Sequence, residues 1–165
     1  MKIAICPGSF DPITLGHLEI IQRTANIFDK VIVLVVANYR KKEAQAFTAD
    51  ERVELIRKSI KAIGGMDNVD VDVYSGLLAE YAEKNHATAI VKGLRAVSDF
   101  EDEFQQALTN QKLYAGFETM FMAASAENMF LSSSLVRQVG ELGGDISAFV
   151  PDVILDDILE RLRKD

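Results

Sequence analysis

Three stretches of this chain gather side chains suited to anion chemistry at places where a strand gives way to a helix. The first is Pro7-Gly8-Ser9-Phe10-Asp11-Pro12-Ile13-Thr14-Leu15-Gly16-His17. It holds two of the three prolines and two of the ten glycines, so its path is tightly constrained. It then opens a helix whose unpaired N–H groups favour an anion. His17 falls in the first turn beside Gly16, which leaves room for a ligand to approach the backbone. An imidazole there donates a hydrogen bond to a phosphate oxygen as charge develops. Taken alone, the motif is equally compatible with a histidine that is only solvated at a helix start.

The second group is cationic. Asn38-Tyr39-Arg40-Lys41-Lys42 follows an aliphatic run, and Lys92-Gly93-Leu94-Arg95 ends another. Basic triplets are usually solvated surface, but the carboxyl end of a strand is where ligands bind in open α/β sheets. Arginine offers a bidentate fork to phosphate and lysine a point charge. The third stretch runs from Ala123 to Ser134 and ends in Ser132-Ser133-Ser134, with Arg137 a turn further on. One serine suffices to cap a helix, so the triplet points to hydroxyls and N–H groups turned toward an anion.

Other chemistries are missing from the sequence. It has no G-x-x-x-x-G-K-[ST], no G-x-G-x-x-G after the first strand, no H-E-x-x-H and no paired-cysteine metal spacing. Cys6 ends an apolar run with no base beside it in sequence, which predicts a buried structural thiol. His86 falls at a predicted helix end and is expected to cap carbonyls there.

The elements that must position these residues follow from periodicity. Ile3–Cys6 reads as a strand stopped by Pro7-Gly8, Leu15 to Phe28 as a helix, and Val31–Ala37 as a strand buried on both faces. Thr48 and Glu51 form a capping box ahead of Val53, Ile56, Ile60 and Ile63, and Gly64-Gly65 ends that helix. Val69–Tyr74 alternates as a strand, Leu77–Asn85 reads as a short helix and Ala89–Lys92 as a buried strand. Ser98 and Glu101 suggest a second capping box, leading a helix with Phe100, Phe104 and Leu108 on one side. Thr119–Ala123 is a fifth strand, Ser133–Leu142 a helix, and Pro151 fits the first turn of a final one. Strands alternating with helices imply an α/β fold, with five parallel strands covered by helices on both faces.

The length of 165 residues predicts one domain, 1–165, and 48% apolar residues supply a core. The net charge of −7 argues against nucleic acid and against an anionic membrane surface as partners, but leaves small anions open. One cysteine excludes an intrachain disulfide, and the initial apolar run is too short for a signal peptide, so a cytoplasmic protein is expected. Lys41, Lys92, Arg95 and His17 fall at one sheet edge, which predicts a pocket of opposite sign to the whole chain.

Together these pieces resemble the nucleotidylyltransferase superfamily of the [HT]-x-G-H type. Thr14-Leu15-Gly16-His17 matches its first motif, and Ser132-Ser133-Ser134-Leu135-Val136-Arg137 looks like its S-S-[ST]-x-x-[RK] motif. Pro7 to Pro12, Gly93-Leu94-Arg95 followed by Asp99-Phe100-Glu101, and Phe130 ahead of the serines are similar to the branch that adenylylates 4′-phosphopantetheine. The similarity runs over nearly the whole chain.

The resemblance implies a Rossmann-like doubly wound sheet and Mg²⁺-dependent, reversible transfer of an adenylyl group from ATP to 4′-phosphopantetheine. The products are dephospho-CoA and pyrophosphate, formed by direct in-line attack. Positioning and charge stabilisation then carry catalysis. By the same resemblance His17, Lys41 and Arg95 are catalytic. ATP contacts fall on Ser9, Phe10, His17, Gly93, Leu94, Arg95, Glu103, Asn128, Met129, Phe130, Leu131, Ser132, Ser133 and Ser134, and acceptor contacts on Ser9, Lys41, Leu78 and Lys92. No side chain is assigned as a metal ligand. A homohexamer and feedback inhibition by coenzyme A are also implied. Lys92 stands where many members have Arg, Asn128 where an aromatic is common, and Asp102 where Tyr is common. A different acceptor, or nucleotide binding without chemistry, are the competing readings.

Overall fold

The computed structural model describes residues 1–37 and 45–163, with the side chains of Val97 and Ser98 left aside. Strands and helices alternate as β1 (Ile3–Gly8), α1 (Leu15–Ala25), β2 (Lys30–Val36), α2 (Ala49–Ile63), β3 (Val69–Tyr74), α3 (Leu78–Lys84), β4 (Ala89–Leu94), α4 (Val97–Leu113), β5 (Glu118–Ala123), α5 (Ser133–Glu141) and α6 (Asp152–Leu162). The strands are all parallel, in the order β3-β2-β1-β4-β5. This is the α/β architecture the sequence predicts. Among the described residues no helix is long and apolar enough to cross a membrane.

Alternation along the strands builds two cores. Ala4, Cys6, Val31, Val33, Val35, Ala89 and Val91 pack with Leu18, Ile56, Val136 and Ile154 on one face. Ile5, Ile32, Leu34 and Ile90 pack with Ala79, Tyr81 and Ala82 of α3 on the other. With both faces covered, the central strands have no polar side, which accounts for their near-continuous aliphatic runs.

Several boundaries differ from the sequence expectation. β1 continues through Pro7 and Gly8, in register with Leu34 and Val35 of β2. Pairing of β1 with β4 covers only Ala4 and Ile5. Pro7 therefore lies where one side of the ladder has already parted, a place that tolerates a missing N–H. α1 ends at Ala25, and Phe28 reaches the core through a following turn instead. The Thr48–Glu51 capping box forms, with N–H to side-chain distances of 3.2 and 2.8 Å. The Ser98–Glu101 box does not start α4, because extended Ala96 holds the cap position and Ser98 is already inside the helix. Pro151 occupies the cap of α6, one position earlier than expected. At the end of α3 the capping falls to Asn85, whose Nδ2 donates to the Tyr81 carbonyl at 2.9 Å. His86 contributes its backbone N–H, to the Glu83 carbonyl, from a left-handed φ of 52°.

The same registers open the site. β1 stays with β2 to Gly8, and β4 stays with β5 up to Leu94 against Ala123. The two halves of the sheet separate beyond Ile5 and Ile90, at the point where the strand order reverses. A crevice at the carboxyl ends results.

Candidate active site

A cavity of about 850 Å³ occupies this crevice. Its walls include Ser9, Phe10, Thr14, Gly16 and His17 from the β1–α1 loop, Leu78 from α3, and Lys92, Gly93 and Arg95 from β4 and its exit. Asp99, Asp102, Glu103 and Gln106 come from α4, and Asn128, Leu131, the three serines and Arg137 from the far side.

His17 is fixed by its own helix start. Thr14 caps α1, and its Oγ1 accepts the His17 backbone N–H at 3.3 Å. In return, Nδ1 of His17 accepts the Thr14 backbone N–H at 3.0 Å. T-x-G-H is therefore a capping box with imidazole in place of the usual Glu or Gln. An acceptor at Nδ1 puts the proton of the neutral ring on Nε2. Burial lowers the His17 pKa to about 4, helped by the positive charge of Arg95. At neutral pH the residue is thus an uncharged donor, and the reading as a merely solvated histidine fails. Phe10 packs edge-on against it, with ring centroids 5.1 Å apart. Phe10 holds this place at a φ of 48°, and a Cβ on Gly8 would come within 3.0 Å of its ring.

A buried hub sets the path of the same loop. The Asp11 carboxylate accepts the N–H groups of Ala46 and Phe47 at 3.0 and 2.9 Å. Arg137 donates to the Asp11 carbonyl and lies 3.5 Å from its carboxylate. Arg52, only 1% exposed, donates to the carbonyls of Ser9 at 2.8 Å and Thr48 at 3.3 Å, and to Gln45 at 3.3 Å. Residues 9–11 are thereby tied to residues 45–48. Sequence reasoning missed Arg52. Its signal was a cation inside the buried face of α2, next to Val53, Leu55 and Ile56.

The serine triplet is used differently from expectation. Ser132 caps α5 by accepting the Leu135 N–H at 3.1 Å, Ser133 donates to the Pro12 carbonyl at 2.7 Å, and Ser134 accepts from Arg137 at 3.4 Å. Each hydroxyl has its own protein partner. What the turn offers an anion is the pair of amides in the first turn of α5 that the cap leaves over. Leu94, Met129 and Phe130 do not line the cavity. Phe130 is half-exposed and meets Phe149 edge-on at 5.8 Å.

The cationic side chains are present but already paired. Lys92 forms an ion pair with Glu103 and donates to Gln106 at 3.4 Å. Arg95 lies 3.3 Å from Asp99 and donates to the Leu131 carbonyl at 2.6 Å. Among the described residues Lys92, Arg95 and Arg137 share the cavity with Asp11, Asp99, Asp102 and Glu103, so the expected excess of positive charge is not met there. The carboxylates hold the cations in place, and phosphate groups would compete for them. Lys41 and its basic neighbours lie outside the described residues. Cys6 is buried, and its thiol is pushed up to about 12 by that burial, as a structural role requires. Among the described residues no three acidic, histidine or cysteine side chains group to hold a metal.

A parallel sheet in this order, with a histidine-closed capping box on one lip of the switch point and a serine-capped helix on the other, defines a nucleotidylyltransferase. The cytidylyltransferase-like family model matches residues 5–139. The chain resembles a bifunctional NMN adenylyltransferase/ADP ribose pyrophosphatase from Francisella tularensis with a TM-score of 0.70 at 15% identity, covering 99% of this chain and 50% of that one. It is 50% identical over 164 residues to the phosphopantetheine adenylyltransferase of Caldanaerobacter subterraneus, covering 99% of each. It is 51% identical to the protein of that name from Clostridium kluyveri, covering 99% of this chain and 97% of the relative. The chain belongs to the phosphopantetheine adenylyltransferase family.

Proposed function

We propose that this protein transfers the adenylyl group of ATP reversibly to 4′-phosphopantetheine, giving dephospho-CoA and pyrophosphate in coenzyme A synthesis. Membership of the family supports the pair of substrates. The observation that carries the chemistry is the neutral His17, whose Nδ1 is occupied by Thr14 and whose remaining ring nitrogen is a fixed donor.

ATP lies in the crevice between the β1–α1 loop and the far lip, contacting Ser9, Phe10, Gly93, Asn128, Leu131 and the three serines that line it. An oxygen of the acceptor phosphate attacks the α-phosphorus in line. The bond from that phosphorus to the bridging oxygen breaks, and pyrophosphate leaves. His17 donates to the phosphate oxygens as charge shifts, beside the Gly16 amide of α1 and the amides that open α5. Arg95 and Lys92 exchange part of their pairing with Asp99 and Glu103 for phosphate. Lys41, by the family pattern, holds the acceptor phosphate, and Leu78 packs against the pantetheine arm. Mg²⁺ would enter on the nucleotide phosphates, offsetting their charge, since the described residues offer no cage for it.

The protein assembles as a homohexamer in the cytoplasm, with coenzyme A as a feedback inhibitor of the same cleft. An exposed apolar stripe supports self-association: Phe100, Phe104 and Leu108, at successive turns of α4. Incubation with Mg-ATP and 4′-phosphopantetheine should release pyrophosphate, with nicotinamide mononucleotide and glycerol phosphate as controls. A folded protein that releases none with 4′-phosphopantetheine refutes the proposal.

A further inference from the structure

Two residues beyond His17 on α1, Glu19 makes a set of contacts that the reaction above does not use. Its Oε1 accepts from Arg23 at 3.0 Å and from the Ser125 N–H at 3.3 Å. Its Oε2 accepts from the Ser125 hydroxyl at 2.7 Å and from Asn128 Nδ2 at 2.8 Å. Arg23 also donates to the carbonyl of Ala123, the last residue of β5, at 2.8 Å. One carboxylate thus joins the helix that bears His17 to the loop on the opposite lip of the crevice.

Apart from the buried Leu131 and the edge-on packing of Phe130 on Phe149, that loop is held by few other contacts. Asn128 and Ser125 share a backbone hydrogen bond, Leu131 donates back to Asn128, and Arg95 reaches the Leu131 carbonyl. Its approach to α1 is close, for a Cβ added to Gly16 would lie 3.6 Å from the Asn128 carbonyl oxygen. Burial alone would raise the Glu19 carboxyl, but hydrogen bonds from Asn128, Ser125 and Arg23 outweigh it and hold the group below the ordinary carboxylate range. Glu19 does not line the cavity.

We infer that Glu19 is a positioning residue for ATP: it sets the spacing between the His17 helix and the Ser125–Leu131 loop, and with it nucleotide affinity. This rests on the reading of that loop as the nucleotide side of the cleft. It also gives Asn128 a use, since its amide is spent on Glu19 where an aromatic is common at this position.

The test combines ATP titration calorimetry without acceptor, steady-state kinetics and amide hydrogen exchange on Glu19→Ala, Glu19→Gln and Ser125→Ala. Loss of hydrogen bonds to a charged group should weaken ATP binding and raise KM for ATP by about tenfold in Glu19→Ala. Glu19→Gln should fall between, and exchange at residues 125–131 should accelerate. The acceptor KM and kcat should stay within about twofold, because no group acting on the reacting atoms is removed. Ser125→Ala, outside the cavity, should shift ATP binding the same way by less, and should add little to Glu19→Ala. It also carries the test if Glu19→Ala does not fold. Unchanged ATP affinity, unchanged loop exchange, or equal rises in both KM values would overturn the inference while leaving the adenylyltransferase reading intact. Failure of the wild type to bind ATP at all would overturn both.

Discussion

Thr14 and His17 bond each other reciprocally: the Thr14 N–H meets His17 Nδ1 at 3.0 Å, and the His17 N–H meets Thr14 Oγ1 at 3.3 Å. Four residues therefore start a helix and choose a tautomer with the same two hydrogen bonds. The fixed donor that results points from the first turn of α1, where the helix amides already favour negative charge. A neutral imidazole gains less from the ground-state phosphates than a cation would. Its hydrogen bond strengthens as charge builds on the oxygens in the transition state, so its contribution belongs to kcat.

Replacing His17 by Ala should lower kcat by about 10²–10³, the scale for loss of one preorganised donor, with little change in KM for either substrate. Pyrophosphate release measured over a range of both substrate concentrations separates the two effects. A large rise in KM with kcat preserved would assign His17 to ground-state binding instead.

The depressed His17 pKa makes a statement about stability. In the folded protein the ring's pKa is lowered from the ordinary 6.5 to about 4, because its half-buried place in the crevice disfavours the charged form and Arg95 adds positive charge. Between those values the unfolded chain binds the proton and the native protein does not, so stability rises with pH through this window. The contribution is complete above 6.5 and lost as pH falls toward 4. Urea unfolding at several pH values should therefore show a steeper acid loss for the wild type than for His17→Asn. Parallel curves would mean that His17 titrates normally.

Much of the fold was legible because its strands are buried on both faces, and aliphatic runs such as those of β2 have no other common explanation. The motif T-x-G-H was legible as chemistry, yet its capping role was missed, since capping boxes are sought with Glu or Gln at the third helical position. Hydrogen-bond partners across the chain were not legible at all. Nothing in the spacing says that Ser133 would meet Pro12 or that Glu103 would meet Lys92, contacts that depend on how separate elements pack. The end of β1 was misplaced for a similar reason, because tolerance of Pro7 depends on where β4 leaves it.

The apolar stripe on α4 gives a test of assembly. Phe104 and Leu108 are 46% and 50% exposed, while Asp99 and Glu103 of the same helix face the cavity. Burying the remaining half of such side chains between copies would contribute about 1 kcal/mol each. Phe104→Glu together with Leu108→Glu should therefore shift the protein to smaller species in sedimentation velocity, with an unchanged far-ultraviolet spectrum. An undisturbed assembly would place the contact elsewhere.

Arg52 should prove to be a stability residue whose loss is also felt at the site. Its guanidinium is almost fully buried and donates to the carbonyls of Ser9 and Thr48 and to Gln45. Removing it takes the donor away from the Ser9 carbonyl and from Gln45, while Thr48 keeps the backbone N–H of residue 52, and it also takes away the positive charge facing Asp11. An acceptor stranded in this way costs about 1–3 kcal/mol, more when its lost donor was charged. Arg52→Met, which keeps most of the volume, should accordingly lower unfolding free energy by about 3 kcal/mol at neutral pH. Because Ser9 is released in the same step, KM should rise for both substrates even at temperatures where the variant is fully folded. Urea denaturation paired with steady-state kinetics at low temperature checks the two effects separately. A variant that loses stability but keeps both KM values would show that the Ser9 loop holds its shape through Asp11 alone.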